Sequence, residues 1–178
     1  MNNSIQKLSI VGLGNVGSHL FDAFSQEGIK VTHVYSRSEP SDRVLHEAEW
    51  VKAPSELPSG QLVIVCVPDD IISSILTEIP NDCPVAYTSG SVNLSNLPHR
   101  KELGVFYPLQ TFTKGNPINI FEVPFFIESY DPDFASKLFD LAWKISRKVN
   151  YASSEDRKKL HLAAVFINNF TNHLAHIS

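Results

Sequence analysis

Residues 8–17 read Leu8-Ser9-Ile10-Val11-Gly12-Leu13-Gly14-Asn15-Val16-Gly17, an apolar run that breaks into Gly-x-Gly-x-x-Gly. The run predicts a strand, and a helical pattern opens just after it, near Ser18. Each glycine then has its own task. Gly12 turns the chain off the strand. Gly14 leaves room for a diphosphate to approach the backbone, and Gly17 lets the helix pack closely on the strand. The free N–H groups and the positive end of the helix dipole hold the phosphates. Leu13, Asn15 and Val16 fill the same loop and are expected to touch the ligand with it. The position of the motif, after a strand and before a helix, makes it a dinucleotide fingerprint rather than a chance turn.

The pattern continues outward from this motif. Short apolar runs alternate with helix-like stretches over the first 150 residues, the rhythm of βαβ units around a parallel sheet. Strands are predicted near 7–12, 30–35, 50–52, 62–67, 84–87, 104–106, 124–127 and 148–151. Helices are predicted near 15–27, 41–48, 70–78 and 131–147. Leu62-Val63-Ile64-Val65-Cys66-Val67 is continuously apolar, as suits a strand buried on both faces. The expected architecture is α/β: a Rossmann-type, doubly wound, mostly parallel sheet over residues 1–152, followed by the first helix of a helical domain at 153–178. That helix has no stop signal, and Leu162–Ile167 is apolar in six consecutive positions. A stretch apolar all round needs cover, so the expectation is a longer native chain or a second subunit packed against it.

Composition narrows the function. The chain has 178 residues and a net charge of −4, which argues against a nucleic-acid binder. No run of about 18 apolar residues is present, so no membrane span is expected. The first strand begins at once and leaves no room for a signal peptide, so a cytoplasmic location is expected. Cys66 and Cys83 lack ligand-like spacing and read as reduced thiols. The histidines lack metal-ligand spacing with carboxylates, so no metal site is expected.

The end of the second strand bears on which dinucleotide binds. An acid there holds the ribose hydroxyls in NAD binders. Here the stretch is Ser36-Arg37-Ser38, with no acid before Glu39. A guanidinium pairs well with a phosphate and the hydroxyls add donors, so NADP is preferred over NAD. Val67-Pro68-Asp69-Asp70 ends a central strand, at the edge where open α/β sheets bind ligands. The backbone of Val67 and Pro68 is expected beside the cofactor, and the two aspartates are expected to cap the helix that follows. Ser89 and Ser91, in Thr88-Ser89-Gly90-Ser91, follow the next strand on the same edge. They are candidates for cofactor and substrate contact respectively, or simply members of a Ser/Gly turn.

Tyr107-Pro108-Leu109-Gln110-Thr111-Phe112 places polar groups among apolar ones, as in a pocket wall. Pro108, Gln110 and Thr111 are candidate substrate contacts. Tyr107 is a candidate proton donor or a core residue. In the last helix Arg157 and His161 are four apart and share a face. Imidazole titrates near 6.5 unperturbed, which makes His161 the best proton carrier by chemical type. The alternative is a structural histidine at a domain junction. Asn168 sits among Val165, Phe166 and Ile167 and needs partners if buried; a substrate or a neighbouring helix could supply them.

The ordered set GLGNVG, YSRS, VPDD, TSGS, YPLQTF and RKKLHLAAVFINNFTNHL resembles a family of Rossmann-like proteins designated NADP oxidoreductases, which carry a C-terminal helical domain of unassigned function. More distantly the chain is similar to pyrroline-5-carboxylate reductase, deazaflavin-dependent NADP reductases and β-hydroxyacid dehydrogenases. The resemblance implies that Gly12, Gly14, Gly17, Ser36 and Arg37 hold NADP, that Pro108, Gln110 and Thr111 face the cleft, and that the helical domain forms a homodimer. Tyr107 stands where the family, like prephenate dehydrogenases, usually has His before Pro. This shifts the acid–base role toward His161. The Lys and Asn pair of β-hydroxyacid dehydrogenases is absent, because Lys159 is followed by Ala163. The expectation is an NADP-dependent oxidoreductase acting on a small polar oxo, imino or hydroxy acid. A non-catalytic NADP-binding sensor or assembly protein is the alternative.

Overall fold

The computed structural model describes residues 4–177, with side chains through 167. Eight strands form one sheet in the order β3-β2-β1-β4-β5-β6-β7-β8. They are β1 (Lys7–Val11), β2 (Lys30–Tyr35), β3 (Glu49–Val51), β4 (Leu62–Val65), β5 (Val85–Tyr87), β6 (Leu103–Pro108), β7 (Phe125–Ser129) and β8 (Val149–Tyr151). The first six run parallel in the 3-2-1-4-5-6 order of a dinucleotide-binding sheet. β7 is antiparallel to β6, and β8 is parallel to β7. The predicted doubly wound sheet is therefore present, with two reversed strands added at one edge.

Alternation along the strands splits the core in two. Leu8, Ile10, Leu62, Ile64, Ala86 and Phe106 face one side, with α1 (Asn15–Gln26) and α4 (Pro132–Ile145). Val11, Val63, Val65, Val85, Tyr87 and Val105 face the other, with α3 (Ile72–Glu78). All four residues of β4 are buried, as its unbroken apolar run requires. The short α2 (Asp42–Glu47) lies between β2 and β3. On α4, Asp131 caps the start by accepting from the N–H groups of Asp133 and Phe134, and Pro132 opens the first turn.

The reversal at β7 positions the last helix, α5 (Ser154–Ile177). Its start is capped by Ser153, whose Oγ accepts from the Asp156 N–H at 3.2 Å and donates to Asp156 Oδ2 at 2.7 Å. Within the apolar stretch, Leu162 and Val165 are exposed in this chain.

One expectation is corrected. Asp69 and Asp70 do not cap α3 with their side chains. The chain leaves Pro68 as a 3-10 turn over Asp69–Ile71, and the Asp69 carboxylate accepts from Ser91 Oγ instead. A hydroxyl at the end of the neighbouring strand competes successfully with the helix N–H groups.

Candidate functional site

The glycine loop has the geometry its spacing demands. Gly12 takes φ +94°, and a Cβ there would lie 2.4 Å from the Cys66 carbonyl oxygen. A Cβ on Gly17 would sit 1.9 Å from the Gly12 carbonyl oxygen, so α1 can approach β1 this closely only with glycine there. Gly14 differs: a Cβ on it would meet nothing within 4 Å. The space in front of Gly14 opens into a cleft of about 640 Å³ along the C-terminal ends of β1, β2 and β4. Ser36, Arg37 and Ser38 line one end of the cleft, and Val67 and Pro68 line another part of it. Ser36 Oγ donates to the Ser38 carbonyl at 2.7 Å and so shapes the turn after β2. Arg43, not singled out from the sequence, also lines the cleft, where it pairs with Asp22 at 2.9 Å and Glu47 at 3.6 Å. Asn15 and Val16 stand in the first turn of α1, and Leu13 lines the cleft.

Cys66 borders the same cleft. Burial pushes its thiol up to about 12, and a hydrogen bond with the Thr88 side chain offsets part of this. Both cysteines are free and buried. Among the described residues, no group of three His, Cys, Asp or Glu could hold a metal ion. No helix of the described residues is long and apolar enough to cross a membrane.

A second set of residues meets at the C-terminal ends of β5 and β6. Tyr107 is 7% exposed, and its hydroxyl lies 2.8 Å from Nδ1 of His161. The rings stand edge-on with centroids 5.8 Å apart. These two candidate proton-handling residues are 54 positions apart in sequence and in direct contact in the fold. Gly90 makes the contact possible. A Cβ there would fall 2.6 Å from Tyr107 Cζ and 2.7 Å from His161 Nδ1. Burial raises the Tyr107 phenol to about 12; the nearby Arg157 cation opposes the shift and Asp69 adds to it.

Ser89 turns inward, where its Oγ accepts the N–H groups of Ser91 and Val92 at 3.1 and 3.0 Å. Ser91 spends its hydroxyl on Asp69. Pro108 closes β6 and is buried, whereas Gln110 and Thr111 lie exposed beyond it, with Gln110 Oε1 accepting the Thr111 N–H at 2.9 Å. These five residues gather near the edge but do not line the 640 Å³ cleft. The Asn168 side chain lies outside the described residues.

Arg157 and Glu128 organise this edge, a role not readable from the sequence. Arg157 is 0% exposed. Its guanidinium donates to the carbonyls of Ser89 and Val92, to Glu128 Oε2 and to Ser154 Oγ, at 2.9–3.0 Å. Glu128 also accepts from the N–H and hydroxyl of Ser154 at 2.9 and 2.8 Å. The pair bolts the first turn of α5 to β7 and to the loop after β5. His161 follows one turn later and is thereby set against Tyr107. The only sequence hint was the four-residue spacing of Arg157 and His161. Glu128, a carboxylate in a strand between Ile127 and Ser129, carried no signal by itself.

Comparison with known proteins agrees with this fold. The family model described as a domain of unknown function, DUF2520, matches residues 123–178. A search among curated proteins returned no match. BF3122 from Bacteroides fragilis, a candidate NADP oxidoreductase, is 35% identical over 97% of this chain and 70% of its own, with a TM-score of 0.82. Protein TM1727 from Thermotoga maritima is 25% identical over 96% of this chain and 67% of its own, with a TM-score of 0.71. A pyrroline carboxylate reductase from Plasmodium falciparum with NADP bound shares the fold at 16% identity, covering 99% of this chain and 70% of its own, with a TM-score of 0.68. The level of identity to the Bacteroides protein, over two thirds of its length, is decisive: this chain belongs to that family of Rossmann-fold candidate NADP oxidoreductases.

Proposed function

We propose that the chain is the NADP-binding part of an oxidoreductase for a small polar substrate of the oxo, imino or hydroxy acid kind. The observation that carries the reading is the open space before Gly14, continuous with a cleft that ends at Ser36, Arg37 and Ser38. A cradle without side chains on one side suits a diphosphate. A guanidinium among hydroxyls, with no acid before Glu39, suits a 2′-phosphate. Leu13, Asn15, Val16, Val67 and Pro68 complete the predicted cofactor surroundings; Ser89, whose hydroxyl turns inward, lies outside this cleft. When bound, NADP supplies the hydride chemistry.

The chain's own contribution is orientation and a proton. Tyr107 keeps its proton throughout the neutral range, because burial holds its pKa at about 12. Its hydroxyl oxygen can accept from the Nδ1–H of His161 both in the imidazolium and in the neutral tautomer that keeps the Nδ1 proton. The ring is therefore held in both charge states, and Nε2 is left to exchange a proton with substrate. Tyr107 positions; His161 carries the proton. Ser91, Pro108, Gln110, Thr111 and Asn168 are proposed to border the substrate. The same reading puts a homodimer contact on α5, where Leu162 is 69% exposed; a monomer mass by light scattering at micromolar concentration would remove that contact.

Titration with NADPH and NADH tests the cofactor. NADPH should bind more tightly, and Arg37→Ala should shrink the preference by about tenfold or more. A screen of oxo, imino and hydroxy acids tests the reaction. His161→Ala should lower turnover by roughly 10²–10⁴ while keeping NADPH affinity. Equal affinity for the two nucleotides would remove the role of Arg37, and undiminished turnover would remove that of His161.

A further inference from the structure

Beyond β6 the chain forms a strap across the first turns of α1. Phe112 is buried on it and meets the His19 ring edge-on, with centroids 5.2 Å apart. The tip is a type II turn: the Asn116 N–H donates to the Thr113 carbonyl at 3.1 Å, and Gly115 in the third position takes φ +86°. Lys114 occupies the second position. Two contacts dock this tip on α1. The Lys114 N–H donates to Asn15 Oδ1 at 3.2 Å, and Nε2 of His19 meets the Asn116 carbonyl at 2.9 Å. His19 is itself held to its helix, with Nδ1 2.7 Å from the Asn15 carbonyl.

The docked tip places Lys114 and Gly115 on the cleft wall, together with Gly14. Three long cationic side chains line that wall. Arg43 is matched by Asp22 and Glu47. Arg37 and Lys114 form no ion pair with a carboxylate among the described residues. Arg37 belongs to the turn after β2, whereas the Lys114 main chain is bonded to Asn15, next to Gly14. The two unmatched cations are thus tied to different parts of the cleft, as a ligand with two separate anionic groups would require.

We propose that Lys114 is a diphosphate-binding residue. The strap sets Lys114 on the cleft wall beside the glycine loop, so that its ammonium can add a cation to the backbone N–H groups that face the diphosphate. This rests on the NADP reading above. The diphosphate is common to NADPH and NADH, and the 2′-phosphate is not, which makes the assignment separable from that of Arg37. Calorimetric titration of the full chain, wild type and variants, with NADPH and with NADH is the test. Lys114→Ala should weaken both nucleotides by one common factor of about tenfold, leaving their ratio unchanged. Lys114→Arg should restore most of the loss. Arg37→Ala should change the ratio instead.

Weakening of NADPH alone would move Lys114 to the 2′-phosphate and overturn the diphosphate contact. Unchanged affinity for both nucleotides would overturn the proposal, while an Arg37-dependent preference in the same series would leave the cofactor reading intact. A wild-type chain that binds neither nucleotide would overturn both. Lys114 is exposed, and an unchanged circular dichroism melt confirms that each variant is folded.

Discussion

Replacing Arg157 by methionine keeps the length and apolar stem of the side chain and deletes its charge. The structure sets the size of the effect. The guanidinium is fully buried, makes an ion pair of 2.9 Å with Glu128 and supplies donors to two backbone carbonyls and Ser154 Oγ. Removing one member of a buried pair costs about 3–5 kcal/mol, because the other charge is left without its partner. Total stability for a domain is ~5–15 kcal/mol, so the loss is a large part of the whole. At a urea slope of about 2–3 kcal/mol per molar, the unfolding midpoint falls by ~1–2.5 M. Urea unfolding of the full chain, followed by tryptophan fluorescence, measures it. Adding Glu128→Gln should recover part of the loss by neutralising the stranded carboxylate. Amide exchange should rise first in residues 154–161, the turns that the clamp holds. A midpoint lowered by less than about 0.4 M, roughly 1 kcal/mol on the same slope, would refute the claim that this pair fastens α5 to the sheet.

Gly14→Ala should leave the melting temperature unchanged and weaken nucleotide binding, because its Cβ meets no protein atom; Gly17→Ala should lower stability by about 1–3 kcal/mol or more through overpacking, and equal melts for the two would contradict the close approach of α1. The Cys66 thiol, raised to about 12 by burial, should resist iodoacetamide at pH 7.5 in the folded chain and react once urea unfolds it; rapid labelling of the native protein would show the site to be open. Tyr107, with its folded pKa near 12 against an ordinary value of 10, binds more protons folded than unfolded between those values. Its contribution is therefore complete below pH 10 and lost as pH rises toward 12. Stability measured against pH should fall less steeply across that window in Tyr107→Phe, and parallel curves would sink the assignment. The fall in the variant should not vanish, since burial also raises the neighbouring Tyr87 phenol.

What could be read in advance was local. The glycine loop and the buried run of β4 each depend on residues within one or two turns of one another. The parallel order of six strands followed from their rhythm and from the connections that such units allow. Non-local choices were hidden. Whether Asp69 caps a helix or accepts from Ser91 depends on a strand 22 residues away. The meeting of Tyr107 with His161, the Arg157–Glu128 clamp and the reversal of β7 all arise from tertiary placement. Lys114 lay in a stretch with an ordinary turn signature; only the docking of that turn on Asn15 and His19 gives it a neighbourhood. The composition of a segment fixes its local shape more readily than its address.

The bolt between α5 and the sheet also acts as a fulcrum. At a rise of 1.5 Å per residue, His161 lies about 6 Å along the axis from Arg157, and Ile177 about 30 Å. A tilt of about 10° pivoting on Arg157 would carry the far end through ~5 Å but His161 through only ~1 Å. Whatever packs on the distal part of the helix is therefore geared down fivefold before it reaches the imidazole. The remaining ångström is still enough to matter, since a misplacement of about that size can change a reaction rate by roughly a hundredfold.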